Sequence, residues 1–249
     1  MPLPLSNPGP LGPDPLIEAL FPRVEWKVEW GLERMEQALA ALGDPHRAYR
    51  CLHVGGTNGK GSVASIWASV LRGAGRRAGL YTSPHLCSFR ERIVVDGRPV
   101  AEDTLLDIAR RLAPLISDLE VSFFEAATLL AFETFRQEGV EVAAIEVGLG
   151  GRLDATNVVH PEVTAITNVA MDHQDYLGET LDEIAREKAG IIKAGVPVVT
   201  AERRPGILAM FRERAEALGA PLTVVDPWED VSDLRLGPQS TRFVLATDR

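Results

Sequence analysis

His53-Val54-Gly55-Gly56-Thr57-Asn58-Gly59-Lys60-Gly61-Ser62 is the stretch whose reading decides the fold of this chain. An apolar run, Tyr49-Arg50-Cys51-Leu52, precedes it. Val63-Ala64-Ser65-Ile66-Trp67-Ala68-Ser69-Val70-Leu71 follows, with the composition of a helix. A strand, a glycine-rich turn and a helix N-terminus in that order cradle phosphate. Glycines let backbone N–H groups turn toward the anion, and the helix dipole favours negative charge at that end. In such a loop Thr57, Asn58, Gly59, Lys60, Gly61 and Ser62 hold the nucleotide. Lys60 reaches the terminal phosphates and Ser62 stands beside nucleotide-bound Mg²⁺. The spacing departs from G-x-x-x-x-G-K-[ST] twice: Val54 takes the first glycine's place, and Gly61 separates Lys60 from Ser62.

Outward from the loop, strands and helices alternate. Strands are expected at 50–54, 78–82, 140–147, 163–167, 196–200 and 222–225, and helices at 62–74, 104–116, 124–137, 181–193 and 207–218. A further helix is expected over 26–42, where Leu32, Met35, Leu39 and Leu42 recur at spacings of three and four before Gly43-Asp44-Pro45 ends it. The strands are continuous apolar runs without alternation, which points to a parallel sheet buried on both faces. The fold class is therefore α/β, with a doubly wound, mostly parallel sheet around the phosphate loop. Residues 1–24 read as a Pro-rich leader, with six prolines and no basic residue in the first fifteen, extended and without a packed role. Residues 25–226 read as the nucleotide-binding domain, and 227–249 as the cut-off start of a following segment, with a strand beginning at 241–246.

A length of 249 residues, 45% of them hydrophobic, suffices for a large core, and a mean hydropathy of +0.01 fits a globular chain. No apolar run approaches the ~18 residues a membrane helix needs, so no membrane partner is expected. The formal charge of −9 argues against a nucleic-acid surface, which needs a basic stripe. Two cysteines make no disulfide framework; Cys51 reads as a small core residue, and a reduced cytoplasmic setting follows.

Ligands of open α/β sheets bind at the carboxyl ends of the strands. Ser83, Glu146 and Asn168 fall at such ends, with Asp172 and His173 close behind. Ser62, Ser83, Glu146 and His173 would together offer oxygen and imidazole ligands for Mg²⁺, which takes few protein ligands and completes its shell with phosphate and water. Lys188 lies seven after Leu181, four after Ile184 and three before Ile191, on the apolar face of its helix. A buried ammonium is costly unless paired or neutralised, and the alternative is a lysine snorkelling at the helix edge. Glu125 precedes Leu129 and Phe132 at helical spacing, so it too faces an apolar stripe and needs a partner, unless it is simply an acid favoured by a helix N-terminus.

The loop G-T-N-G-K-G-S resembles the phosphate loop of the Mur-ligase superfamily, and five further segments resemble folylpolyglutamate synthase/dihydrofolate synthase in order. They are T-S-P-H-L (82–86), F-F-E-A-A-T (123–128), E-V-G-L-G-G-R-L-D-A-T-N (146–157), T-N-V-A-M-D-H (167–173) and A-R-E-K-A-G-I-I-K (185–193). The resemblance implies a Mur-ligase-like central ATPase domain with a C-terminal domain missing. It also implies a monomeric ATP-dependent ligase that adds L-glutamate to dihydropteroate or tetrahydrofolate with ATP and two Mg²⁺ ions. It further implies that Ser62, Ser83, Glu146 and His173 hold metal, that Lys60, His173 and a carbamylated Lys188 are catalytic, and that Ser122, Phe123, Phe124, Glu125, Arg152, Leu153 and Asp154 line the folate cleft. Val28, Glu29, Trp30 and Gly31 would close over the pterin. Two alternatives stay open: a fragment that binds ATP and pterin without ligating, and another Mur-superfamily amino-acid ligase.

Overall fold

The computed structural model describes residues 14–22, 24, 30–226, 231–237 and 240–245. The strands are β1 (Arg50–Gly55), β2 (Ala78–Tyr81), β3 (Ile93–Val95), β4 (Arg98–Pro99), β5 (Val142–Glu146), β6 (Val163–Ile166), β7 (Val198–Thr200), β8 (Leu222–Val224), β9 (Val231–Leu236) and β10 (Thr241–Leu245). The helices are α1 (Pro15–Leu20), α2 (Glu33–Ala41), α3 (Lys60–Gly73), α4 (Glu102–Asp118), α5 (Phe123–Gln137), α6 (Gln174–Leu177), α7 (Leu181–Ala189) and α8 (Pro205–Ala217).

Eight strands form one sheet in the order β4-β3-β2-β5-β1-β6-β7-β8. The pairings from β2 to β8 are parallel, and β3 and β4 add an antiparallel edge. This is the doubly wound, mostly parallel α/β sheet expected from the apolar runs. The chain leaves β1 toward β2, returns to β5, then crosses to β6, so the direction of winding reverses at β1. Side chains of β5 alternate between two cores. Ala143 and Ile145 join the large cluster with Phe132, Phe135 and Leu112, while Ala144 meets Val54, Ala64 and Ala165 under α3. The small alanines let α3 lie close against the sheet directly after the phosphate loop. A third cluster gathers Ile184, Ile191, Val198 and Phe211 beneath α7 and α8. Phe211 is fully buried there. Phe211→Ala is expected to destabilise the chain by about 3–5 kcal/mol, read as a fall in the urea midpoint with an unchanged slope.

Several boundaries differ from the sequence expectation. Part of the expected leader is packed structure: Asp14 caps α1, and Leu16, Leu20 and Phe21 are buried in the large cluster. The prolines drew attention away from a short apolar helix after them. α7 ends at Ala189 rather than 193, since Gly190 follows, yet Ile191 and Ile192 stay buried in the turn beyond. Of the helix expected over 26–42, α2 begins at Glu33, and 25–29 lie outside the described residues. The strand expected at 241–246 exists as β10 and pairs antiparallel with β9 in a separate two-stranded sheet. Among the described residues no helix is long and apolar enough to cross a membrane.

Candidate functional site

Strand register brings the expected residues to one edge. Val54 pairs with Glu146, Gly55 with Ile166, and Tyr81 with Ile145. The ends of β1, β5, β6 and β2 therefore deliver the glycine loop, Glu146, Asn168 and Ser83 side by side. Gly56 and Gly59 have φ of +134° and +82°, conformations that only glycine adopts freely. α3 starts at Lys60 with Gly59 as its cap and no capping side chain, so its first N–H groups face outward in the manner of an anion site.

The loop is fastened to residues 167–170. Thr57 N–H donates to Asn168 O at 2.8 Å. The Asn168 side chain accepts from Asn58 N–H at 3.2 Å and donates to Asn58 O at 3.1 Å. Thr57 Oγ1 accepts from Ala170 N–H at 2.9 Å. Lys60 folds back so that Nζ donates to Thr57 O at 3.1 Å, and Ser62 is exposed on the first turn of α3.

Glu146 is buried at the end of β5 and accepts from Ser83 N–H at 3.0 Å. A Cβ on Gly61 would lie 3.4 Å from its carboxylate, so the acid looks straight at the phosphate loop. Burial raises its pKa, against the pull of the Ser83 N–H and of Lys60. A buried hard-oxygen donor facing a phosphate cradle fits Mg²⁺. Among the described residues no group of three or more His, Cys, Asp and Glu side chains stands together, so an ion at Glu146 would draw its remaining ligands from hydroxyls, phosphate and water. His173 is exposed, and its Nε2 lies 3.5 Å from Asp172 Oδ1.

Lys188 is 2% exposed, and Nζ donates to Gly56 O at 3.0 Å. It does not snorkel. Burial, helped by the nearby charge of Lys60, lowers its pKa to about 8, with Asp172 and Asp154 pulling the other way. Lys60 and Lys188 thus press two cationic groups against the same loop.

The expected cleft is partly a scaffold. Phe124 lays its ring where a Cβ on Gly148 would come within 2.3 Å, and its centroid is 6.3 Å from that of Tyr81. Phe123 turns instead into the core between Phe21 and Phe89, because the first turn of α5 points it there. Ser122 and Glu125 form a capping box, and Glu125 also accepts from Arg34 Nε at 3.2 Å, so its carboxylate already has partners on both oxygens. Arg152 is surface-exposed and paired with Glu187 at 2.8 Å, and Leu153 beside it is half-buried. Asp154 is buried and accepts from Leu149 N–H and from Thr156 N–H and Oγ1, fastening its own loop. Trp30 is 40% exposed, Gly31 sits at φ +132°, and Val28 and Glu29 lie outside the described residues.

Two groups escaped the sequence reading. Arg92 is buried over Phe89 and Phe123 and donates to His85 Nδ1 at 2.8 Å, bracing the segment after Ser83. His53, inside the quoted stretch, is fully buried with Nε2 2.8 Å from Thr156 Oγ1, tying β1 to the Asp154 loop. Burial drives its pKa down to about 3, with Lys193 adding to the effect. Between about pH 3 and the ordinary value of 6.5 the unfolded chain binds a proton that the native imidazole refuses. His53 therefore removes stability as pH falls through that window, by up to about 1.4 kcal/mol per pH unit. Glu146 and Asp154 have the opposite sign, because their raised pKa values favour the fold when protonated. His53→Gln is expected to flatten the loss of stability between pH 6 and about 4, read from urea midpoints at stepped pH.

Comparison with known proteins adds four findings. Residues 54–216 match the Mur ligase middle domain. A dihydrofolate synthase/folylpolyglutamate synthase of Bacillus subtilis is 42% identical over 206 residues, covering 80% of this chain and 48% of that protein. The folylpolyglutamate synthase structure of Thermotoga maritima superposes with a TM-score of 0.81 at 39% identity, over 92% of this chain and 53% of that one. An FPGS–AMPPCP–folate complex gives 0.83 at 40% identity, over 91% and 57%. The chain spans about half the length of the curated relatives it matches.

Proposed function

The chain belongs to the Mur ligase family through its middle domain, and on that premise we propose that it carries the ATP- and folate-binding part of a ligase that joins L-glutamate to dihydropteroate or tetrahydrofolate. The observation that carries this is the convergence of Lys60, Glu146, Lys188 and the uncapped start of α3 at one sheet edge. Relatives solved with AMPPCP and with folate support the choice of ligands.

In the proposed reaction the γ-phosphoryl group of ATP passes to the substrate carboxylate. The bond to ADP breaks and an acyl phosphate forms. The amine of glutamate then attacks the carbonyl carbon, the C–N bond forms, and phosphate leaves as the amine loses its proton. The protein's part is positioning and charge neutralisation. Lys60, freed from Thr57 O, would reach the β- and γ-oxygens, and the N–H groups of Gly59, Lys60, Gly61 and Ser62 would cradle them. Glu146, with the Ser62 and Ser83 hydroxyls, would hold Mg²⁺, which offsets phosphate charge when bound. His173, exposed in the segment after β6, would complete the set. Phe124 and Asp154 would shape the folate side of the cleft.

Lys188 fits carbamylation. A pKa of about 8 leaves a neutral amine fraction near neutral pH. That amine can add to CO₂, forming an N–C bond, releasing a proton and exchanging a buried cation for an anion. A carbamate carbonyl resonance from ¹³C-bicarbonate, absent in Lys188→Ala, is the expected sign; no such signal would remove Lys188 from this role. The reading extends to a monomer in the cytoplasm, where the free thiols of Cys51 and Cys87 stay reduced.

A second reading is a module that binds ATP and pterin and ligates nothing. Labelled glutamate supplied with ATP, Mg²⁺, bicarbonate and each pterin substrate separates the two. Incorporation establishes the ligase, and nucleotide binding without incorporation establishes the module. Competition by a UDP-linked precursor but not by dihydropteroate would overturn both in favour of a cell-wall ligase.

A further inference from the structure

Val169 is the one residue of 167–170 that makes no hydrogen bond to the glycine loop. Thr167 N–H donates to Gly55 O at 3.0 Å, and Asn168 and Ala170 both bond to Thr57 or Asn58. Val169 faces the other way, and both of its backbone groups are taken by side chains from the turn after β7. Its N–H donates to Glu202 Oε2 at 2.9 Å, and its carbonyl accepts from Arg204 Nη2. Glu202 and Arg204 also hold each other in a fork, Nε to Oε1 at 2.9 Å and Nη2 to Oε2 at 2.5 Å. Glu202 is 3% exposed and accepts the Arg203 and Arg204 N–H groups as well. Its own backbone is set by Thr200 Oγ1, which ties β7 to Ile166 O of β6.

We propose that the Glu202–Arg204 pair is the positioning device of the phosphate loop. It clamps the peptide groups of Val169 so that Asn168 and Ala170 present a fixed edge to Thr57 and Asn58. Neither side chain hydrogen-bonds to the glycine loop itself; both act on it through Val169. A carboxylate and a guanidinium in bidentate geometry define a plane, and that plane fixes Val169 more tightly than a single bond would. Burial works against the charge of Glu202, but the Arg204 side chain and the converging N–H groups prevail and hold its pKa at about 2, so the clamp stays charged across ordinary pH. The consequence for nucleotide affinity rests on the reading of the site as an ATP site; the consequence for the loop itself does not.

The test compares Glu202→Gln and Arg204→Met with Ile108→Val, a mild core change in α4, away from the loop. Amide hydrogen exchange at Thr57, Asn58, Thr167 and Ala170 is followed without nucleotide, and ADP affinity is measured well below each variant's Tm. Expected is at least a tenfold rise in exchange at these four amides, with at least a tenfold weaker ADP affinity. Arg204→Lys, which keeps the charge but loses the fork, should recover only part of either. Ile108→Val should lower Tm and leave both unchanged. Unaltered exchange at the four amides in both clamp variants overturns the proposal. Faster exchange with unaltered ADP affinity also overturns it, since the pair would then be a mere brace. Faster exchange in a chain whose wild type binds no ADP upholds the clamp and refutes the nucleotide reading instead.

Discussion

Lys60→Ala is expected to weaken ATP and ADP binding by about 10²–10³-fold, equivalent to about 2.7–4 kcal/mol, while leaving the fold in place. The two halves of this outcome come from different facts. In the structure Nζ makes one hydrogen bond, to Thr57 O, from a half-buried position, and Thr57 is held independently by Asn168 and Ala170. Its removal leaves no buried group without a partner, so Tm should move by about 2 °C or less. On phosphate the same ammonium would face concentrated negative charge in a partly dry loop, where a lost contact is expensive. Calorimetric titration with ADP, beside a thermal melt of the free protein, measures both. A collapsed melt would show that Lys60 holds the loop together, and its role in phosphate binding would have to be withdrawn.

Gly56→Ala is the substitution expected to do most harm to the fold near the site. Its φ of +134° lies where side chains are strained, and the new Cβ would sit 1.9 Å from Thr167 Oγ1 and 3.0 Å from Thr167 N. The Thr167 backbone cannot retreat, because its N–H is bonded to Gly55 O at 3.0 Å. Backbone strain and overpacking together amount to about 2–6 kcal/mol. For a chain of this size that is a fall in Tm of roughly 5–20 °C, with nucleotide binding lost. Gly59→Ala is the instructive contrast. It has φ +82° and nothing within 4 Å of the added Cβ, so only the strain remains. Equal melting temperatures for the two variants would mean that the Gly56–Thr167 approach is not the cause.

The sheet was legible because its central strands are short, apolar and buried on both faces, a pattern that survives without knowledge of partners. The edge strands β3 and β4 were not. Arg98–Pro99 is too short to show any period, and its pairing is fixed by contacts rather than by composition. α1 was hidden for a different reason: Leu16 and Leu20 bury themselves against distant α4, which no local window reports. Within the site, Glu146 and Lys188 were readable because a charge on an apolar stripe asks for an explanation, and both are buried beside the glycine loop. Phe123 and Glu125 were harder. Helical spacing names a face but not what covers it, and here the covers are Phe21 and Arg34. Glu202 and Arg204 gave no signal at all. T-A-E-R-R-P reads as an ordinary charged turn, and its meaning lies in the peptide group of Val169, which carries no side-chain information.

The order of the strands in the sheet also sets a timetable for synthesis. β1 leaves the ribosome well before its two neighbours, β5 and β6, which begin at residues 142 and 163. For roughly ninety residues of translation the strand that bears the glycine loop has both edges open, while β2 waits on the same late partner, β5. Open apolar edges invite pairing with other nascent chains. Val163 to Ile166 must be out before β1 is enclosed, and the turn at Glu202 before its loop is braced from behind. A nascent chain stalled short of that turn would be a poor nucleotide binder and a good chaperone client.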